Sequence, residues 1–245
     1  MSPTPIVRIA ANPTGRDFAV GDIHGAFEVL RASLDAIGFN PDHDRLFSIG
    51  DLVDRGPQSA QILEWLDQPW FYAICGNHDL MTWCGALGRP FESVRHTDHG
   101  GQWLYELPIE QQRRIGERLL ALPVAMEVAT RAGDVGLLHA DLPTDDWKDI
   151  HRIDWNGLDR MHSIAGQCLW SSQRYRRRHA GVVKNIRAMV HGHVTIPAMD
   201  RLGNVFFIDT GGWRRGGRFT FLELETLQAH AAPTVAQLGI RSYDD

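Results

Sequence analysis

Residues 46–56 read Leu-Phe-Ser-Ile-Gly-Asp-Leu-Val-Asp-Arg-Gly: a short, mostly apolar run that stops at a glycine and then releases an aspartate. The same grammar occurs upstream in Asp-Phe-Ala-Val-Gly-Asp-Ile-His-Gly (residues 17–25) and downstream in Phe-Tyr-Ala-Ile-Cys-Gly-Asn-His-Asp (residues 71–79). Short apolar runs bounded by glycine read as strands, here Phe18–Val20, Leu46–Ile49 and Phe71–Cys75. Between them lie two helical stretches. In Ala26–Ile37, Phe27, Leu30, Leu34 and Ile37 form one face. Gln58–Leu66 is opened by Pro57 near its first turn. Strand–helix–strand–helix order predicts parallel strands with helices packed on the sheet.

Further along, Ile109–Leu120 has apolar positions at helical spacing and ends at Pro123. Val124–Ala129 and Val135–Leu138 flank a turn-like Arg131–Asp134 and predict a hairpin. Met189–Val190, Val205–Ile208 and Phe219–Leu224 read as further strands. A parallel half followed by an antiparallel half predicts two packed sheets with helices outside. The expectation is one domain over residues 1–245, with its core at about 17–225 and a loosely ordered, peripheral tail after Thr226.

Composition narrows the function classes. With 245 residues, 43% of them hydrophobic, the chain can bury a large core without disulfides. A net charge of −5 argues against a protein that tracks nucleic acid, and no stable nucleic-acid binding is expected. An anionic substrate stays open, because a metal site supplies positive charge locally. The three cysteines, Cys75, Cys84 and Cys168, form no Cys-x-x-Cys pair and suit packing in a reducing cytoplasm. No signal peptide and no membrane span are expected.

The informative fact is where the acidic and imidazole residues fall. Each predicted strand end runs into a candidate ligand: Asp22 and His24, Asp51, Asn77, His139, and the pair His191-Gly192-His193. In α/β folds, ligands bind where loops leave the carboxyl ends of strands. Five such ends would converge on one edge. Asp, Asn and His offer oxygen and nitrogen without thiolate, a set suited to Mn²⁺, Fe or Zn²⁺. Asp22 and His24 stand two apart, so an extended backbone would point both the same way. Asp51 can place one oxygen on each of two metals, which would then sit ~3.5–4 Å apart.

Taken together, GDIHG, GDLVDRG and GNHD, followed by LLHADLP, LWS, GH and FIDTGG, resemble the motif series of the phosphoprotein phosphatases within the calcineurin-like metallophosphoesterases. The likeness is greatest to the compact bacterial and lambda-phage Ser/Thr protein phosphatases, and it runs from about Phe18 to Phe221. The resemblance implies an α/β fold of two packed mixed β-sheets flanked by helices, an αββα sandwich. It implies two divalent metal ions, Mn²⁺ in the first place, one held by Asp22, His24 and Asp51, the other by Asp51, Asn77, His139 and His193. A hydroxide bridging them would attack phosphorus. His78, oriented by Asp54, would protonate the leaving alkoxide. Arg55 would bind phosphate oxygens, with Asn77 beside it. The implied substrate is a phosphoprotein or phosphopeptide, with small phosphoesters or nucleotides as further candidates.

This chain departs from the pattern at one place. Ser172 stands where the family carries a second phosphate-binding arginine, and Arg174 is the candidate substitute. The segment Gly192-His193-Val194-Thr195 lacks the GHxH pattern of many related nucleases and favours the phosphatase branch. His191 reads as a core or supporting histidine. The basic run Arg174, Arg176, Arg177 and Arg178 reads as a solvated helix face or a rim attracting anions. His96, Asp98, His99, Trp83 and Trp103 suggest pocket rim rather than ligands. Two rival functions stand beside this one: a symmetrical dinucleoside polyphosphate hydrolase, which shares the motif set, and a non-catalytic scaffold, which should lack metal ligands or the acid.

Overall fold

The computed structural model describes residues 5–89, 91 and 94–240. Along the chain run β1 (Ile6–Ile9), β2 (Asp17–Val20), α1 (Phe27–Ala36), β3 (Arg45–Ser48), α2 (Ile62–Leu66), β4 (Phe71–Ala73), α3 (Asn77–Ala86), α4 (Gln102–Tyr105) and α5 (Ile109–Leu120). Then follow β5 (Ala125–Val128), β6 (Val135–Leu138), α6 (Ile164–Trp170), α7 (Gln173–Arg176), β7 (Ala188–His191), β8 (Asp200–Leu202), β9 (Val205–Phe207), β10 (Thr220–Glu223) and β11 (Ala229–Ala231). Among the described residues, no helix is long and apolar enough to cross a membrane.

The strands form two mixed sheets, ordered β11-β10-β2-β3-β4 and β1-β5-β6-β7-β9-β8. The alternation of side chains along each strand sorts the core into layers. Ala19, Phe47, Leu137, Val190, Phe206 and Leu222 belong to one buried cluster, packed between the sheets. Their neighbours Phe18, Val20, Leu46, Leu138, Met189 and Phe207 belong to the larger cluster that also takes in Phe27, Leu30 and Leu34 of α1. Each sheet is therefore apolar on both faces, which is why its strands read as continuous apolar runs.

The expected division into a parallel and an antiparallel half does not hold. β2, β3 and β4 are parallel, but β10 and β11 from the far end of the chain complete their sheet in antiparallel sense. In the other sheet, β5 and β6 form the expected hairpin, yet β6 with β7 and β7 with β9 are parallel. The reason is connection length. Long crossovers link those strands, and a tight turn at Gly203-Asn204 links the antiparallel β8 and β9. The tail is also better packed than expected: β11 pairs with β10, and Ala232 and Val235 are buried in the core. The stretch 58–66 divides into a 3-10 turn at Ser59–Gln61 and the short α2.

The strand ends that carry ligand candidates are tied together. The N–H groups of Ile23 and His24 donate to the Asp51 carbonyl at 3.0 and 2.8 Å. The N–H of Gly192 donates to the His139 carbonyl at 2.9 Å. Helix α3 starts directly at Asn77, because Asp79 accepts from the N–H of Gly76 at 2.8 Å and from that of Leu52 at 2.9 Å. A carboxylate in the first turn answers the free N–H groups of a helix start, and Asn77 and His78 thereby leave the sheet edge on a rigid element.

Candidate metal centre

Two groups of buried side chains meet at Asp51. One oxygen, Oδ2, lies 3.7 Å from Nε2 of His24, which is itself 3.8 Å from Oδ2 of Asp22. The other, Oδ1, lies 3.4 Å from Nε2 of His139. Around that second oxygen, the side-chain oxygen of Asn77 approaches Nε2 of His139 at 2.9 Å and Nδ1 of His193 at 3.0 Å. The structure thus brings together Asp22, His24, Asp51, Asn77, His139 and His193. The donor atoms of His24, Asp51 and His78, and those of Asp51, His139 and His193, fall within ion-binding distance of one another. His78 is set apart from the first group by its own partners, described below.

The orientation of each ring shows what the two groups lack. Nδ1 of His24 donates to the Val53 carbonyl at 3.1 Å, Nδ1 of His139 to the Ile49 carbonyl at 2.7 Å, and Nε2 of His193 to the Trp170 carbonyl at 3.1 Å. With those protons placed, the opposite nitrogen of each neutral ring carries a lone pair. The lone pairs of His139 and His193 face carboxylate and amide oxygens, which are also acceptors, while that of His24 meets the Arg55 guanidinium at 2.9 Å. Acceptors converge on acceptors, an arrangement that calls for cations. The residues present therefore fit two divalent ions.

The electrostatics say the same. Burial, then Asp209 and Asp51, hold the Asp22 carboxyl well above its usual range. Burial and Asp51 push Asp79 up to about 8. Burial disfavours a charged His139, but Asp51 and Asp22 outweigh it and raise this imidazole to about 10, so a proton sits where a cation would. His193, by contrast, is pushed down to about 4 by burial and by His139, and stays neutral. Burial, His78 and Arg55 likewise keep His24 neutral.

The loops hold unusual backbone. His24, Asp51, Asp54, Arg55 and His193 all have positive φ, between 47° and 72°. His24 is therefore not extended, and the expected alternation with Asp22 gives way to a left-handed turn that swings the imidazole over Asp51. Such outliers gather where a site over-determines the chain. At Gly192, a Cβ would run into the Asp22 carboxylate, whose Oδ1 accepts the N–H of His193 at 2.9 Å.

Beside the two groups stands a histidine–carboxylate pair. Nδ1 of His78 donates to Asp54 at 2.8 Å. Burial alone would raise Asp54, but hydrogen bonds from His78 and His96 bring it to about 2, so it stays an anion. Nε2 of His78 points outward and meets the guanidinium of Arg55 at 2.9 Å; a second nitrogen of Arg55 meets Nε2 of His24 at 2.9 Å. The same guanidinium lies 4.7 Å from the ring centre of Trp213, which also carries Arg214 at 4.3 Å. Cations over an indole face are held electrostatically.

Arg174 is not part of this constellation. Its side chain is only 3% exposed and pairs with Asp141 and Asp145. It also donates to the carbonyls of His179 and Gly181. Two carboxylates and two carbonyls take four of the five guanidinium donors, so this arrangement lends no support to Arg174 as the substitute for the arginine missing at Ser172. His191 lies on the outer face of β7 against Phe207, its Nδ1 on the Leu138 carbonyl at 2.7 Å, and burial drives it down to about 3. Sequence reasoning missed the partners of Asp54, namely His96, Trp103 and Thr82, and the aromatic platform at Trp213. The cluster of histidines and tryptophans after the third motif was the available signal.

Comparison with known proteins agrees with this geometry. The family described as calcineurin-like phosphoesterase matches residues 18–226. Serine/threonine-protein phosphatase 2 of Escherichia coli (strain K12) is 28% identical over 92% of this chain and 100% of its own. The symmetrical bis(5'-nucleosyl)-tetraphosphatase of Paracidovorax citrulli is 34% identical, over 60% of this chain and 62% of its own. A protein serine/threonine phosphatase structure from Saccharomyces cerevisiae shares the fold at TM-score 0.65 and 18% identity, covering 95% of this chain and 85% of that one.

Proposed function

We propose, from the premise that this chain belongs to the calcineurin-like phosphoesterase family, that it hydrolyses phosphomonoesters of serine and threonine in proteins or peptides. The observation that carries the reading is Asp51, whose two oxygens face two separate ligand groups. Asp22, His24 and Asp51 would hold one divalent ion, and Asp51, Asn77, His139 and His193 the other, with Mn²⁺ the first candidate for this oxygen and nitrogen set. When bound, the ions supply Lewis acidity and acidify water near neutral pH.

The rest of the chemistry belongs to the chain. Arg55, exposed on its loop and presenting a fork of donors, would turn from His24 and His78 to the phosphate oxygens. Once Arg55 leaves Nε2 of His78 and a proton from solvent takes its place, His78 would hand that proton to the leaving oxygen, while Nδ1 stays on Asp54. Arg214, carried on the same indole as Arg55, extends the positive face towards an anionic substrate. The three thiols are free and buried, which supports a reducing cytoplasm as the working compartment.

Phosphate release by metal-stripped protein on a phosphothreonine peptide, with and without Mn²⁺, tests this reading. Metal-dependent release supports it. A clear preference for diadenosine tetraphosphate over the peptide would move the assignment to polyphosphate anhydrides, a reading favoured by the 34% identity to the tetraphosphatase.

A further inference from the structure

Asp54 is held far more tightly than its pairing with His78 requires. Its side chain is fully buried. Oδ2 accepts from Nδ1 of His78 at 2.8 Å, and Oδ1 accepts from the indole N–H of Trp103 at 2.8 Å. Nε2 of His96 lies 3.0 Å from both oxygens, and the Thr82 hydroxyl lies 3.3 Å from Oδ1. An ionised carboxylate only accepts, so Nε2 of His96 carries a proton. Nδ1 of His96 is then the acceptor for the Tyr105 hydroxyl at 3.2 Å. A chain of hydrogen bonds thus runs from Tyr105, itself 43% exposed, inward through His96 and Asp54 to His78.

Two glycines clear the way for it. A Cβ on Gly101 would collide with the His96 ring, and one on Gly85 with the Tyr105 hydroxyl. The elements that supply these groups are α3, the 3-10 turn at His96–His99, and α4. The same 3-10 segment reaches Arg55, whose N–H donates to the Gly100 carbonyl at 3.3 Å. One short stretch, residues 96–105, therefore grips the carboxylate behind His78 and the backbone of the neighbouring arginine.

We propose that His96 and Trp103 are positioning residues. They lock the Asp54 carboxylate in the one rotation that aims Nε2 of His78 at the leaving oxygen, with Tyr105 setting the tautomer of His96. The proposal rests on His78 being the proton donor. Both residues act through Asp54, so losing either is expected to loosen proton delivery rather than binding. Proton delivery matters for a poor leaving group such as a serine or threonine alkoxide and little for nitrophenolate.

The test compares kcat on a phosphothreonine peptide and on 4-nitrophenyl phosphate for Trp103→Phe, His96→Leu, His96→Gln and His78→Asn, all Mn²⁺-loaded. Trp103→Phe and His96→Leu are each expected to lose ~10-fold in kcat on the peptide, part of the ~10²–10⁴ ascribed to a general acid, with KM steady and the aryl ester nearly unaffected. His96→Gln keeps an N–H that reaches Asp54 and is expected to recover most of the loss. Proportional loss on both esters, or no loss, in Trp103→Phe would overturn the proposal even if His96→Leu fails to fold. Should His78→Asn itself show no dependence on the leaving group, the proton-donor reading falls and takes this proposal with it. A selective loss in His78→Asn without one in Trp103→Phe overturns the positioning role alone.

Discussion

The side-chain oxygen of Asn77 lies 2.9 Å from Nε2 of His139, an approach of two acceptors that a cation or an extra proton reconciles. In the metal-free protein the proton fills that place, since Asp51 and Asp22 raise His139 to about 10. A divalent ion must displace it. Metal binding at pH 8 is therefore expected to release a proton that an ordinary imidazole would already have lost. Calorimetric titration in buffers of different ionisation enthalpy measures it, and His139→Ala should reduce the release by the share that this imidazole contributes.

The same group sets a pH window for the metal-free fold. A pKa raised on folding contributes stability that is complete below the unfolded value of 6.5 and is lost as pH rises through about 10. The melting temperature of stripped protein is expected to fall across that interval, and that of loaded protein much less. A flat profile for the stripped protein would remove His139 as the cause.

Replacing Asp51 with Asn is expected to empty both metal positions, because its two oxygens face different groups. Asp22→Asn should weaken mainly the position shared with His24. The turnover loss in Asp51→Asn should exceed the ~10–100-fold that removal of an outer partner of a metal ligand costs. Elemental analysis of bound metal separates the two variants.

Arg55→Ala should lower kcat/KM on phosphomonoesters by ~10–100-fold, the worth of a charge-assisted hydrogen bond of about 1.5–3 kcal/mol. Metal affinity should hold or rise, since Arg55 occupies the Nε2 lone pair of His24 that an ion would take. Steady-state kinetics and metal titration check the two halves independently.

Arg174→Met gives the opposite signature. Removing one partner of a buried ion pair costs about 3–5 kcal/mol, and the low end applies here because Asp145 is 39% exposed. Urea unfolding should register that loss while KM for the phosphopeptide stays put. A raised KM at unchanged stability would return Arg174 to the substrate.

The site was more legible in the sequence than the sheets around it. Asp22, Asp51 and Asn77 stand out because each follows an apolar run and a glycine, and His139 because it directly follows one. The pairing of β10 with β2 does not, since a strand carries no mark of a partner some 200 residues away. Helix α3 was hidden for a different reason. Its first turn is occupied by Asn77 and His78, and the start signal, Asp79, is disguised as part of a ligand motif. The proposal for Arg174 came from spacing, which cannot show that Asp141 and Asp145 pair with it. His96 and Trp103 read from sequence as pocket rim, because their partner Asp54 lies more than forty residues earlier.

The positive φ angles at His24, Asp51, Asp54, Arg55 and His193 bear on the life of the protein in a cell. Those five residues, on three loops, are folded against their own backbone preference around like-charged carboxylates, an arrangement that divalent cations would hold together. A shortage of divalent metal would then do more than silence the enzyme. It would loosen the sheet edge, expose the chain to proteases and lower the number of molecules, so that abundance follows metal supply without any dedicated regulator.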